Sequence, residues 1–228
     1  MSAEYALAGR GLHRQFGSGA NEVHALAGVD FEAKPGALTV VRGPSGSGKT
    51  TLLNLLGGLD RPTSGQAVLG DGRVLSDLSE SEVLAIRRES IGYVFQSFGL
   101  IPVLSATENI EVPLRLLDTP AKERDERVAE VLDLVGLGRH GHQRPYELSG
   151  GQQQRVGIAR ALVSRPRIVI ADEPTGQLDS TTAATIMDLL TQLTHQESIA
   201  AIVATHDTLL IDRADEVIEL HQGERVSG

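Results

Sequence analysis

Eight consecutive residues, Gly43, Pro44, Ser45, Gly46, Ser47, Gly48, Lys49 and Thr50, carry the first chemical signal of the chain. They satisfy G-x-x-x-x-G-K-[ST] at every required position. They also stand between "LTVVRG", which reads as a buried strand, and "TTLLNLLGGL", whose leucines recur at helical spacing. Glycines at 46 and 48 allow backbone conformations that turn successive N–H groups inward, and the helix start that follows adds partial positive charge. Such a loop cradles phosphate. Lys49 is expected to reach the β- and γ-phosphates of a nucleotide and Thr50 to face Mg²⁺, with Thr51 next in line.

"IVIADEP", 168–174, supplies a second half. Its apolar run predicts a central strand that carries Asp172 to the C-terminal end, where α/β sheets bind nucleotides. Asp172 suits Mg²⁺, through water, and Glu173 would stand where an attacking water needs polarising. His206, in "VATHD", ends the next apolar strand. It reads equally as a γ-phosphate ligand or as the cap of a helix beginning near Asp207.

A third stretch, "LSGGQQQRVGIARAL" at 148–162, opens a helix with polar residues yet holds no evident acid, base or nucleophile. Ser149 and Gln152 have the S-x-x-Q spacing of a capping box. Gly150 and Gly151 leave that helix start bare of side chains, which makes it a good anion site.

These residues need a scaffold. To about Val41 the pattern is of short strands, "YALAGRGLHRQF" and "VHALAGVDFEA", with "KPGA" as a turn, which suggests an antiparallel portion. After the phosphate loop and its helix, "DRPTSG" makes a turn and "AVLGDGRVL" returns as strand. From about Glu80 to Ala161 helical patterns dominate, in "SEVLAIRRE", "AKERDERVAEVLDLVGL" and "GQQQRVGIARALV", and predict a helical insertion. Alternation then resumes: "RIVIADE" as strand, "STTAATIMDLLTQLTHQ" as helix, "SIAAIVATH" as strand and "DEVIELHQGERV" as a closing hairpin. The insertion therefore interrupts one sheet.

Composition bounds the alternatives. The chain has 228 residues, 40% of them hydrophobic and only 3% aromatic, so its core rests on Leu, Val, Ile and Ala, as in buried parallel sheets. It contains no cysteine, which excludes disulfide frameworks and thiolate metal sites and fits a reducing compartment. No apolar run approaches the roughly 20 residues that span a bilayer, and "MSAEYALAGRG" lacks the features of a signal peptide, so a cytoplasmic protein is expected. A net charge of -9 argues against nucleic acid as the main partner.

Taken together the motifs resemble an ABC-type ATPase, the nucleotide-binding subunit of ATP-binding-cassette transporters. The likeness covers essentially the whole chain: the phosphate loop at 43–50, Gln96 in "YVFQS", "LSGGQ" at 148–152, "IVIADE", "GQLD" at 176–179, and His206. "GLDRPTSG", "VFQSFGLIP" and "DEPTGQLD" make it most like the macrolide-efflux and lipoprotein-release group. The resemblance implies an α/β fold, a P-loop NTPase core with an antiparallel β subdomain and a helical insertion at about 80–161, all in one domain spanning 1–228.

It also implies roles. Lys49, Gln96, Glu173 and His206 would be catalytic, and Thr50, Gln96 and Asp172 would surround Mg²⁺. Phe16 would stack on adenine, where a tyrosine is commoner. Ser149, Gly150, Gly151 and Gln152 would close on the γ-phosphate held by a second copy, in a head-to-tail dimer with two ATPs between the subunits. Asp179 would communicate across that dimer. The preceding pair is Gly176-Gln177, where many relatives have Ser-Ala and this group usually has Gly-Asn, a departure that touches the geometry of the loop. A transmembrane permease would dock near "SFGLIPVLSATENI", where Phe98, Leu100 and Ile101 are either core or exposed groove, and would hold the protein on the inner face of the membrane. A regulatory ATPase that moves no solute, or a soluble ABC ATPase acting on ribosomes or DNA, are the competing readings. The second of these usually has two cassettes or a long coiled-coil insertion, and this chain has neither.

Overall fold

A computed structural model describes residues 4–17, 19, 22–206 and 211–226. In chain order the elements are β1 (Leu7–Phe16), β2 (Val23–Ala33), β3 (Leu38–Arg42), α1 (Lys49–Leu56), β4 (Ser64–Leu69), α2 (Glu80–Ser90), β5 (Ile91–Val94), α3 (Ala106–Leu116), α4 (Ala121–Leu134), α5 (Gly150–Leu162), β6 (Ile168–Asp172), α6 (Ser180–Gln196), β7 (Ala200–Thr205), β8 (Glu216–His221) and β9 (Glu224–Val226).

The strands at the centre are short and apolar on both sides. In β6, Ile168 and Ile170 join one core while Val169 and Ala171 join the other, as side chains alternate across a sheet buried on both faces. Such strands pair side by side in the order β5-β6-β7-β3-β8-β9. The first five run parallel and β9 returns antiparallel on β8. One core lies between this sheet and α3 to α6, around Ile110, Val131, Val156 and Ile186. The second lies under α1, whose Leu52, Leu53, Leu55 and Leu56 are buried between the main sheet and a separate antiparallel sheet of order β2-β1-β4. Among the described residues no helix is long and apolar enough to cross a membrane.

The α/β architecture with its antiparallel portion matches the expectation, but the span 80–161 is not helical throughout. β5 lies inside that span and belongs to the main sheet, with Ile91 opposite Ile168 and Val94 opposite Ala171. α2 goes with it, since its Ile86 packs in the α1 core. The helical bundle is therefore α3 to α5. "IGYV" follows α2 with no turn between them, so its pairing with β6 alone marks it as a strand. α3 also departs from the sequence pattern, because Pro113 sits inside it. Its start is nevertheless well defined: Ser105 and Glu108 form a reciprocal capping box. The helix expected near Asp207 falls at 207–210, outside the described residues.

Candidate active site

Four adjacent strands, β5, β6, β7 and β3, end at the same edge of the main sheet, and each delivers a different part of the site. β3 runs into the phosphate loop, β6 into Asp172 and Glu173, β7 into His206, and β5 into Gln96 one residue after Phe95. A cleft of about 660 Å³ opens there, lined by Pro44, Ser45, Gly46, Gly48, Lys49, Thr50, Thr51, Gln96, Glu173 and His206. Gly43, Ser47 and Asp172 do not line it. Gly48 adopts φ 102°, and a side chain there would begin 2.5 Å from the carbonyl oxygen of Ala25, so the loop closes tightly on β2.

The polar groups of the cleft have provisional partners or none. Lys49 is buried, and its Nζ donates to the carbonyls of Gly43 at 2.8 Å and Pro44 at 3.1 Å while standing 3.9 Å from Glu173. The Thr50 hydroxyl donates to Asp172 Oδ2 at 2.9 Å. Asp172 Oδ1 is buried with no hydrogen-bond partner, as is Ser47 Oγ. Burial pushes the Asp172 carboxyl above its ordinary range, with the Thr50 hydrogen bond and Lys49 opposing and the neighbouring Glu173 adding to the rise. An unsatisfied buried carboxylate oxygen is costly unless something else binds it.

Glu173 sits at φ 46°, in the left-handed region that a non-glycine residue enters at a cost of order 1–3 kcal/mol. Its N–H donates to the carbonyl of Ala204, which ties the turn to β7, and its Oε1 lies 3.0 Å from His206 Nδ1. β6 and β7 thus present Glu173 and His206 as a pair. Gln96 approaches the same place from β5: its Nε2 lies 3.1 Å from where a side chain at Gly176 would begin, so the glycine leaves it room.

The remaining sequence-predicted residues are placed elsewhere. Phe16 ends β1 opposite Val23, a lining residue, but does not line the cleft itself, and at 43% exposure it is not core. Ser149, Gly150, Gly151 and Gln152 start α5 and do not line the cleft. The capping box is formed: Ser149 N–H donates to Gln152 Oε1 at 2.9 Å, and Gln152 N–H to Ser149 Oγ at 3.3 Å. Gly151 lies against α6, where a side chain would meet Thr182 Cγ2 at 2.5 Å. Asp179 caps α6 by accepting from the N–H groups of Thr181 and Thr182, and the Thr182 hydroxyl, with these backbone bonds adding, holds its carboxyl below the usual range. In the stretch after Gln96, Leu100 packs on the core and Ile101 is exposed, while half-buried Phe98 gives its carbonyl to Arg160. Val23, His24 and Ala25 line the cleft without any motif that marks them.

The ABC transporter family profile matches residues 26–176. An ABC transporter ATP-binding protein of Thermotoga maritima is 46% identical over 91% of this chain and 87% of its own length. The macrolide export ATP-binding/permease protein MacB of Brucella melitensis is 45% identical over 94% of this chain, which spans only 33% of that relative's length. Among solved structures, the ATP-binding cassette MJ0796, in a dimeric post-hydrolysis state bound to ADP and Pi, is similar with a TM-score of 0.88 and 40% identity over 97% of both chains.

Proposed function

The chain belongs to the ABC transporter family as one of its ATP-binding, ATP-hydrolysing cassettes, and we propose that it energises export or extraction through a separate transmembrane permease. The observation that carries the site assignment is the convergence of Lys49, Thr50 and the Glu173–His206 pair on one cleft at the ends of adjacent strands, with Asp172 hydrogen-bonded to Thr50 from outside the lining.

In this reading Lys49 leaves the carbonyls of Gly43 and Pro44 for phosphate oxygens, and the loop N–H groups hold the rest of the triphosphate. The orphaned Asp172 Oδ1 and the Thr50 hydroxyl fit a hard cation with oxygen ligands. Mg²⁺, when held there with Gln96, neutralises phosphate charge. Glu173 orients the attacking water, and His206, hydrogen-bonded to it, stabilises the γ-phosphate; no covalent intermediate is required. The start of α5 completes the site of a second copy, and Asp179 lies on the adjoining turn where it would meet the same interface. Two ATPs hold such a dimer together, and loss of the γ-phosphate loosens it.

The permease is assigned to an apolar groove of about 250 Å³ lined by Leu84, Phe95, Pro113, Leu116 and Arg160, to which Phe98, Leu100 and Ile101 contribute no lining. A chain held there would sit on the inner face of the membrane without entering it. As a single folded unit, 1–228 would then act as one moving part.

The decisive variant is Glu173→Gln. Hydrolysis is expected to fall by about 10²-fold or more, with an ATP-bound dimer persisting on size exclusion, and the chain purified from detergent-solubilised membranes with Mg-ATP is expected to bring a polytopic membrane protein with it. Unimpaired turnover would overturn the catalytic assignment. Recovery of ribosomes or DNA instead of a membrane protein would overturn the transport role.

A further inference from the structure

Phe16 is exposed at the end of a strand and carries no hydroxyl by which a hydrogen bond could orient its ring. Something else orients it. Arg14, two residues earlier on the same face of β1, lays its guanidinium over the ring with Cζ 4.4 Å from the centroid. The guanidinium is fixed in turn by Asp60, which accepts from Nε at 2.8 Å and from Nη2 at 3.0 Å. This bidentate pair is partly buried, at 25% and 30% side-chain exposure, which favours a defined geometry over a fluctuating surface contact.

Asp60 is not an arbitrary anchor. It follows α1, the helix that begins with Lys49 of the phosphate loop, and its N–H donates to the carbonyl of Asn54 within that helix. A continuous path therefore runs from the phosphate loop along α1 to Asp60, Arg14 and the ring of Phe16. Its length is set by a rigid helix and one ion pair. On the assumption that Phe16 is the adenine platform, as the proposed function has it, we propose that Arg14 is a positioning residue for the nucleobase: it covers one face of the ring, leaves the other for adenine, and sets the distance between base and phosphates.

A ligand with a base and one without it separate this role from a structural one. Calorimetric titration with Mg-ADP and with Mg-pyrophosphate, on wild type, Arg14→Met and Phe16→Ala, is the test. Arg14→Met keeps an apolar stem over the ring but loses the charge and the Asp60 pair. It is expected to weaken Mg-ADP about two- to fivefold and to leave Mg-pyrophosphate unchanged, with Phe16→Ala weakening Mg-ADP further. Equal loss for both ligands would assign Arg14 to structure alone and overturn the proposal, as would unchanged or tighter Mg-ADP binding in Arg14→Met. Phe16→Ala without effect on Mg-ADP would overturn the platform beneath it, a distinct failure. Should Arg14→Met not fold, Asp60→Asn removes the anchor from the other side and is read in the same way.

Discussion

The phosphate cleft and the start of α5 are the two places where the proposed function puts an anion, yet their polar groups are left in opposite states. In the cleft Lys49 rests on two backbone carbonyls, and next to its lining Asp172 Oδ1 and Ser47 Oγ are buried with no hydrogen-bond partner. At the start of α5 the side chains of Ser149 and Gln152 satisfy each other's backbone, and only the N–H groups of the two glycines between them remain to be used. The first region is arranged for a ligand. The second is a finished helix cap, and the donors left on its two half-buried glycines acquire a purpose only from another molecule. Folding requirements alone account for the second region and fail to account for the first.

The largest expected effect tests whether the two regions serve one reaction from two chains. Lys49→Ala should abolish ATP binding and hydrolysis. Ser149→Asp keeps a good N-cap but aims a carboxylate at an incoming phosphate, so a single chain should bind ATP normally while hydrolysis falls by about 10²-fold. Mixing the two variants pairs one intact phosphate loop with one intact helix start, and hydrolysis should partly return. If mixed dimers form and stay inactive, the division of the site between copies is wrong.

A smaller effect, of opposite sign for stability and function, should appear at Asp172. Its carboxyl is held above the ordinary range by burial, so the contribution is full below about pH 3.9 and is lost as pH rises through the raised folded value. The amide introduced by Asp172→Asn stays neutral at every pH, and its oxygen can still accept from Thr50. Ligand-free Asp172→Asn is therefore expected to melt higher than wild type at pH 7, by roughly 2 °C given partial solvation, with the gap closing toward pH 4. Added Mg-ATP should reverse the order, stabilising wild type more. A variant that melts lower at pH 7 without ligand would mean that the Asp172 charge serves the fold.

The same contrast explains what could be read from the chain in advance. "GPSGSGKT" and "IVIADEP" were legible because each is local: a strand, a turn and the reactive residues within a few positions. The capping box at Ser149 was legible for the same reason. β5 was not, because "IGYV" is a strand only by virtue of Ile168 to Ala171 beside it. α3 was hidden by Pro113, although Ser105 and Glu108 had the spacing that marks a helix start. Nothing in the residue order signals the left-handed backbone of Glu173, which depends on a turn held to β7, or the guanidinium over Phe16, which depends on a loop reached 46 residues later. Local chemistry shows in sequence, and the contacts that orient it do not.

The smallest effect is the most discriminating for α5. Ser149→Ala removes the hydroxyl that accepts from Gln152 N–H and should cost about 1 kcal/mol, or roughly 2–4 °C in Tm. It leaves the N–H groups of Gly150 and Gly151 and the partial charge of the helix end untouched. If those backbone donors hold the phosphate of the opposite copy, hydrolysis should fall less than about tenfold, far short of the loss in Ser149→Asp. A loss as large as that of the aspartate would make the hydroxyl itself the ligand, and the cap of α5 would then be a reactive group of the site that also starts a helix.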